Sequence, residues 1–377
     1  MSRKKERYVG MGINNYDLSV LVQPLLEWYK KNARVLPWRE ESTPYRVWVS
    51  EIMLQQTRVE AVKPFFERFT KRLPDVKALA ECPEDELLKL WEGLGYYNRV
   101  RNMQKAAIQI MEEYNGELPA DYEALLSLKG IGNYTAGAIA SISFQIPVPA
   151  VDGNVLRILT RATEDDTDIM KPAFRKQMEV QLASLMQDAE KFDAQKSGMF
   201  NQALMELGAT VCVPNGAPLC EKCPWGEVCQ TRRNGRIAEI PVKSKAKERR
   251  IEERTVFVIR DGEQVAIRKR PAKGLLAGLY ELPNTEGHLE QKAAIEYVKS
   301  MGYQPLRIQP LEEAKHIFSH VEWRMKGYAV LIEEPEHKDL LFVEAQDSEK
   351  RYAIPAAFAA YAKYMNIKIG NERFLAE

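Results

Sequence analysis

The sequence predicts a multidomain protein, an all-α domain followed by an α+β domain, and three observations carry that expectation. From about Asp17 to Leu207 apolar residues recur at spacings of three and four, with almost no period-two alternation. Four of the five cysteines then fall between Cys212 and Cys229. Beyond about residue 252 the pattern changes to alternating strands bounded by turn signals. The expected boundaries are 1–230 for the helical domain, including a cysteine loop at 212–229, 231–251 for a linker, and 252–377 for the C-terminal domain. A chain of 377 residues is too long for one ordinary domain.

Taken in order, "DLSVLVQPLLEWYKK" places Leu18, Leu21, Leu25 and Trp28 on one helical stripe. "PYRVWVSEIMLQQTRVEAVKPFFERF", "PEDELLKLWEGL", "RVRNMQKAAIQIMEEY" and "YEALLSLKG" read as further helices, with Pro or Gly between them. "TRRNGRIAEIPVKSKAKERRIEERT" is polar, basic and poor in large apolar residues, which reads as a solvated spacer. "TVFVIRDGEQVAIRKR" is a hairpin turning at Asp261-Gly262, "EQKAAIEYVKSMG" a helix, and "HVEWRMKGYAVLI" a strand with Val321, Trp323 and Met325 on one face.

With 45% hydrophobic and 28% charged residues the chain is globular, and its net charge of +1 leaves room for a locally basic face. It holds no run of about 18 apolar residues, which argues against a membrane span. The basic N-terminus lacks the apolar core of a secretory signal, so the expected location is the cytoplasm, at the nucleoid of a bacterial cell.

Four groups of residues carry chemistry. The spacing Cys212-x7-Cys220-x2-Cys223-x5-Cys229 suits a four-thiolate site, and it fits zinc and an iron–sulfur cluster about equally. Cys82 has no partner motif and reads as a small side chain before a helix. Glu51 sits among Trp48, Val49, Ile52 and Leu54, where an apolar setting would favour its protonated form and make it a general acid. Taken alone, it reads as an exposed glutamate of an amphipathic helix.

Asp152, in "VDGNV", opens a helix, where Asp and Asn ordinarily serve as caps. Paired with Glu51 it gives two carboxyls in contrasting environments, as cleavage of a glycosidic bond requires. The turn Gly130-Ile131-Gly132 joins "LLSLKG" to "NYTAGAIASISF" as a helix–hairpin–helix, whose backbone amides can grip a nucleic-acid phosphate.

Taken together, "LPWRE", "WVSEIMLQQT", "WEGLGYYNRVRN", "GIGNYTAGAI", "VDGNV", "FNQALMELGA", the cysteine loop and "FSHVEW" make the chain resemble the MutY-type adenine DNA glycosylases of the helix–hairpin–helix superfamily. The resemblance implies removal of adenine mispaired with 8-oxoguanine or G in duplex DNA, after the base is flipped from the stack. It casts Glu51 as the acid that protonates adenine, Asp152 as the stabiliser of the sugar cation, and Tyr134 and Asn154 as their hydrogen-bonding supports. Arg39 and Gln202 match the adenine pocket, Gln56 and Tyr96 match probes of the base stack, and Gly130 and Gly132 match the phosphate grip.

The four cysteines match the ligands of a [4Fe-4S] cluster, with a first spacing one residue longer than is common. Lys129 stands where a proline is often found before the Gly-Ile-Gly turn. The C-terminal domain resembles a MutT-like (Nudix) fold whose helix lacks the glutamate cluster that holds Mg²⁺, which implies recognition without hydrolysis. Phe318, Ser319 and His320 match the motif that reads 8-oxoguanine. The expected partner is such duplex DNA, with no membrane, and the expected state is a monomer.

Two other classes share some of these features. A bifunctional glycosylase–lyase of the endonuclease III type needs an amine nucleophile where Tyr134 stands. A non-enzymatic lesion binder would need neither Glu51 nor Asp152.

Overall fold

The computed structural model describes residues 16–244, 248–333 and 339–365. Its helices run α1 (Val22–Asn32), α2 (Pro37–Glu40), α3 (Pro44–Leu54), α4 (Val59–Arg72), α5 (Val76–Glu81), α6 (Glu84–Leu90), α7 (Asn98–Glu113), α8 (Tyr122–Ser127), α9 (Asn133–Phe144), α10 (Gly153–Thr163), α11 (Pro172–Gln187), α12 (Ser197–Thr210) and α13 (Gln230–Arg233). The long stretch from Pro44 to Phe69 is two helices, because the chain turns at Gln56 with φ +60°. Local sequence explains the ends: Thr43 accepts the Arg46 N–H and Pro44 opens α3, while Asp121 accepts the Ala124 N–H at the head of α8.

The chain divides into two compact units. Among the described residues the first comprises 16–56, 75–77 and 105–244, and the second 57–74, 78–104, 248–333 and 339–365. In the first, α1, α10, α11 and α12 bury one core that includes Leu25, Leu159, Met178, Phe200 and Trp225. α9 is buried from Thr135 to Ser141 and packs on α3 and α12. Asn201 of α12, fully buried, donates to Ser141 Oγ (2.8 Å) and the Val148 carbonyl (2.9 Å), and accepts from the Ala150 N–H (3.1 Å). These bonds satisfy polar groups of the irregular stretch that leads into α10.

The second unit is built on a mixed sheet: β1 (Arg250–Asp261), β2 (Gln264–Lys269), β3 (Tyr280–Glu281), β4 (Asn284–Glu286), β5 (Pro305–Ile317), β6 (Val321–Ile332) and β7 (Leu341–Glu344). The order is β3-β2-β1-β6-β5, with β4 beside β1 and β7 beside β2. β1 and β2 form the expected antiparallel hairpin across Asp261-Gly262, whereas β1 and β6 pair in parallel. Alternation sets two faces: Val256, Val258, Trp323 and Met325 pack with Phe358, and Phe257, Ile259, Tyr328 and Val330 pack with α14 (Gln291–Ser300). The helix α15 (Ala345–Arg351) follows β7.

Two features of the packing bear on the expected boundaries. The helical stretches 57–74 and 78–104 pack with the C-terminal residues in one compact unit. Side chains the sequence left unassigned tie them in: Lys89 donates to the Tyr352 carbonyl (2.7 Å), the Ile354 N–H donates to Glu92 (2.9 Å), and Arg101 donates to the Ala277 carbonyl (2.7 Å). The expected linker 231–251 is largely built into structure. α13 opens it, Ile240 is buried and its carbonyl accepts from Arg161 (2.7 Å), Val242 accepts from the Ile169 N–H, and β1 already starts at Arg250. One apolar anchor suffices to dock this polar run, which composition alone does not reveal; residues 245–247 lie outside the described set.

Candidate active site

Glu51 and Asp152 reach the same place from two helices. Glu51 lies on α3 three residues before its end, 5% exposed, with Oε2 buried and without a hydrogen-bond partner. Burial pushes its carboxyl up from 4.5 to about 7; a hydrogen bond from Tyr134 and the charge of Arg39 work against that rise, and Asp152 adds to it. Tyr134, in the first turn of α9, lies against the carboxyl, and its own pKa is driven upward by burial and by Glu51 and Asp152. Its hydroxyl donates to Met205 Sδ at 3.7 Å.

Asp152 is the N-cap of α10, and its Oδ1 accepts the N–H groups of Asn154 and Val155 at 2.8 Å each. The Asn154 side-chain amide donates to Oδ2 at 2.7 Å. The cap and the second carboxyl of the site are therefore the same group. Behind it, Arg157 donates to Asn154 Oδ1 (2.9 Å), the Gly208 carbonyl (2.8 Å) and the Cys212 carbonyl (3.0 Å).

Arg39 and Gln202 come together through residues the sequence reading missed. Glu206, fully buried on α12, accepts Arg34 Nε (2.6 Å) and Arg39 Nη2 (2.8 Å), and Arg39 lies over the Tyr29 ring. Burial pushes the Glu206 carboxyl up, but hydrogen bonds from Arg34 and the charge of Arg39 outweigh it and leave it below its ordinary range. Gln202 accepts from the Tyr29 hydroxyl at 3.2 Å. The signal was a single carboxylate four residues after Gln202, flanked by Met205 and Leu207 in "FNQALMELGA".

The hairpin between α8 and α9 holds Gly130 at φ +81°, a left-handed conformation that favours glycine. Gly132 is the N-cap of α9 and supplies no side chain to the first-turn amides, and a Cβ there would meet nothing within 4 Å. The amides at this helix start are thus open to an outside anion. Gln56 is exposed at φ +60°, and Tyr96 is 48% exposed at φ +48°. Backbone of this kind at a non-glycine residue costs about 1 kcal/mol or more and concentrates at working sites.

Within the second unit, Phe318, Ser319 and His320 form the turn between β5 and β6. Phe318 stacks edge-on between His316 (4.6 Å) and Trp323 (5.0 Å), while Ser319 and His320 are exposed. Ser319 Oγ is 2.8 Å from the Tyr96 hydroxyl, so two of the expected lesion-reading residues meet directly.

The four thiols Cys212, Cys220, Cys223 and Cys229 are unbridged and line one cavity with Arg161, Trp225 and Arg232. Arg161 Nη1 lies 3.4 Å from Cys212 Sγ, which suits a thiolate. The Leu219 N–H bonds to the Val211 carbonyl (2.9 Å), closing the lengthened Cys212–Cys220 loop at its base. Among the described residues, no three His, Cys, Asp or Glu side chains gather as a site for a single metal ion. No helix among them is long and apolar enough to cross a membrane.

Comparison with known proteins bears on this geometry. Residues 49–183 match the profile of the HhH-GPD superfamily of base excision DNA repair proteins, and residues 255–364 match that of the NUDIX domain. The chain is 33% identical over 397 residues to the adenine DNA glycosylase of Mus musculus, covering 88% of this chain and 76% of that one. It is 35% identical over 304 residues to the adenine DNA glycosylase of Buchnera aphidicola subsp. Schizaphis graminum, covering 80% and 84%. A solved thermostable thymine-DNA glycosylase superposes with TM-score 0.50 at 25% identity, over 57% of this chain and 96% of that one.

Proposed function

We propose a mechanism for this chain, which belongs to the adenine DNA glycosylase family and is a DNA repair enzyme of the base excision class. Its substrate is adenine opposite 8-oxoguanine or G in duplex DNA, and it hydrolyses the N-glycosidic bond to leave an abasic site. The observation that carries the reading is the contrast between the two carboxyls: Glu51 is buried and raised to about 7, and Asp152 is held by three N–H groups.

A flipped adenosine puts its base on the side of Arg39, Gln202 and Glu206 and its sugar near Asp152. Glu51 gives its proton to the departing base, and the C1′–N9 bond breaks with both electrons leaving on adenine. The Asp152 carboxylate stabilises the oxocarbenium-like sugar until water adds to C1′ and loses a proton. Tyr134 offers no amine for a Schiff base, so the reaction stops at base removal.

Gly130, Gly132 and the open amides of α9 hold a backbone phosphate; Gln56 and Tyr96 probe the stack. The turn Phe318-Ser319-His320 reads the oxidised base without hydrolysing a nucleotide. Cys212, Cys220, Cys223 and Cys229 would hold a [4Fe-4S] cluster, for which four reduced thiols around one cavity beside Arg161 are a fitting donor set. Such a cluster supplies iron–thiolate bonds that staple the loop. The domain reading places catalysis in residues 1–230 and lesion recognition in 252–377, with Tyr96 lent to the second task.

A glycosylase assay on duplexes carrying A opposite 8-oxoguanine, G or T, with and without alkali, tests the reading. Strand breaks are expected only after alkali, and only at A opposite 8-oxoguanine or G. Breaks that appear without alkali overturn the monofunctional assignment.

A further inference from the structure

Helix α12 contributes a third group to the site beside Gln202 and Glu206. Met205 is half-buried, and its Sδ receives the Tyr134 hydroxyl at 3.7 Å. A phenol carries one proton and two lone pairs, so it serves one acceptor at a time. Two acceptors face it here: the Met205 thioether and the Glu51 carboxyl. The choice has a chemical consequence, because a hydrogen bond donated to a carboxyl favours its ionised form. While the proton goes to sulfur, the phenol presents lone pairs to Glu51, which suit a carboxylic acid and repel a carboxylate.

Few groups act on Glu51 from the surrounding elements: Tyr134 from α9, Asp152 from the head of α10, and Arg39 from α2. Asp152 opposes the charged form and Arg39 favours it, each by a fixed charge. Tyr134 favours it only while its proton points at the carboxyl, so a neighbour that redirects one hydrogen changes the balance. We propose that Met205 is a positioning residue for the general acid: its thioether competes with Glu51 for the Tyr134 proton and so favours Glu51 in its acid form. The inference rests on the reading of Glu51 as the acid. A thioether is a weak acceptor, which leaves the hydroxyl able to turn to a nucleotide oxygen once substrate is bound.

The test is the pH profile of single-turnover adenine release for the full chain and for Met205→Leu, which conserves volume but cannot accept a hydrogen bond. The alkaline limb is expected to move to lower pH, slowing release about three- to tenfold near pH ~8 while the acid plateau stays within about twofold. In a Tyr134→Phe background the same substitution leaves the limb in place, since no phenol proton remains to redirect. Met205→Gln, which restores an acceptor, does not move the limb downward.

Thermal unfolding and binding to a duplex with a non-cleavable adenosine analogue check that each variant is folded. An unmoved limb in Met205→Leu, an equal loss at every pH, a shift that persists without the phenol, or a downward shift in Met205→Gln each overturns the inference. Glu51→Gln separates the two levels. If that variant still releases adenine at the parental rate, the acid assignment fails and the inference with it. If it is inactive and Met205→Leu leaves the limb unmoved, only the inference fails.

Discussion

Two glutamates lie at nearly the same depth, one in each unit: Glu51 at 5% exposure and Glu281 at 2%. Glu281, in β3, is satisfied on both oxygens. Arg268 Nε donates to Oε1 and Asn284 Nδ2 to Oε2, each at 2.8 Å, and the Arg270 guanidinium closes on Oε2 as well. Glu51 has one oxygen with no donor at all, and burial lifts its pKa to about 7. Depth alone therefore does not mark a proton-giving carboxyl; the number of donors does. A buried carboxylate surrounded by guanidinium groups and amides has a fixed charge and a structural role, whereas one left short of donors keeps a proton to give away.

Breaking that contrast should show unequal costs. Glu51→Gln is expected to slow base release about 10²- to 10⁴-fold while binding to a duplex with a non-cleavable adenosine analogue stays close to the parental level. Single-turnover release near the parental rate would falsify the assignment. Glu281→Ala should act on stability instead. It leaves Arg270, 14% exposed, without its carboxylate and should cost about 3 kcal/mol or more in denaturant unfolding, with the chemical step in the folded fraction preserved.

The third effect is a pH dependence with a definite sign. The folded state binds the Glu51 proton more tightly than the unfolded chain, since its pKa rises from 4.5 to about 7. The stability linked to this group is therefore fully present below about 4.5 and is lost as pH rises through about 7. Glu51→Gln removes that loss, so the variant should unfold later than the parent at pH ~8, by up to roughly 3 kcal/mol, and show almost no difference near pH ~4. Base release should decline across the same rise through about 7, because the proposed mechanism uses the acid form.

The smallest effect belongs to Ser319→Ala, which removes one neutral hydrogen bond and should lower the preference for 8-oxoguanine by about 0.5–1.5 kcal/mol. If replacing Ser319 and His320 together leaves that preference unchanged, the turn does not read the lesion.

Much of this molecule was legible in its sequence, and the rest has identifiable physical reasons. Period-three-and-four spacing gave the helices, and alternation at Val321, Trp323 and Met325 gave β6, because burial on one face leaves a local trace. The burial of Glu51 was not legible from its neighbours alone, which suit an exposed helix glutamate equally well; only its pairing with Asp152 pointed to a buried acid. Arg34 and Glu206 were not legible either, since an ion pair across 172 positions leaves no periodic mark. Nor was the parallel pairing of β1 with β6, which joins strands about seventy residues apart. The grouping of α4 and α6 with the C-terminal residues escaped for the same reason. It depends on Lys89, Glu92 and Arg101, polar residues that look like ordinary surface until their partners are known.

Asp152 has a consequence for how such an enzyme can fail. It caps α10, and in the proposed mechanism it is also the second carboxyl, yet the two duties have different chemical demands. Capping asks only for a side-chain oxygen, which asparagine supplies as well as aspartate. Stabilising a sugar cation asks for a negative charge. A single base change converts an aspartate codon into an asparagine codon, and the product would keep its helix, its fold and its grip on DNA. Selection for folding therefore gives catalysis no protection at this position. On the proposed mechanism, a cell carrying the change would make a well-folded protein that binds DNA and releases no base.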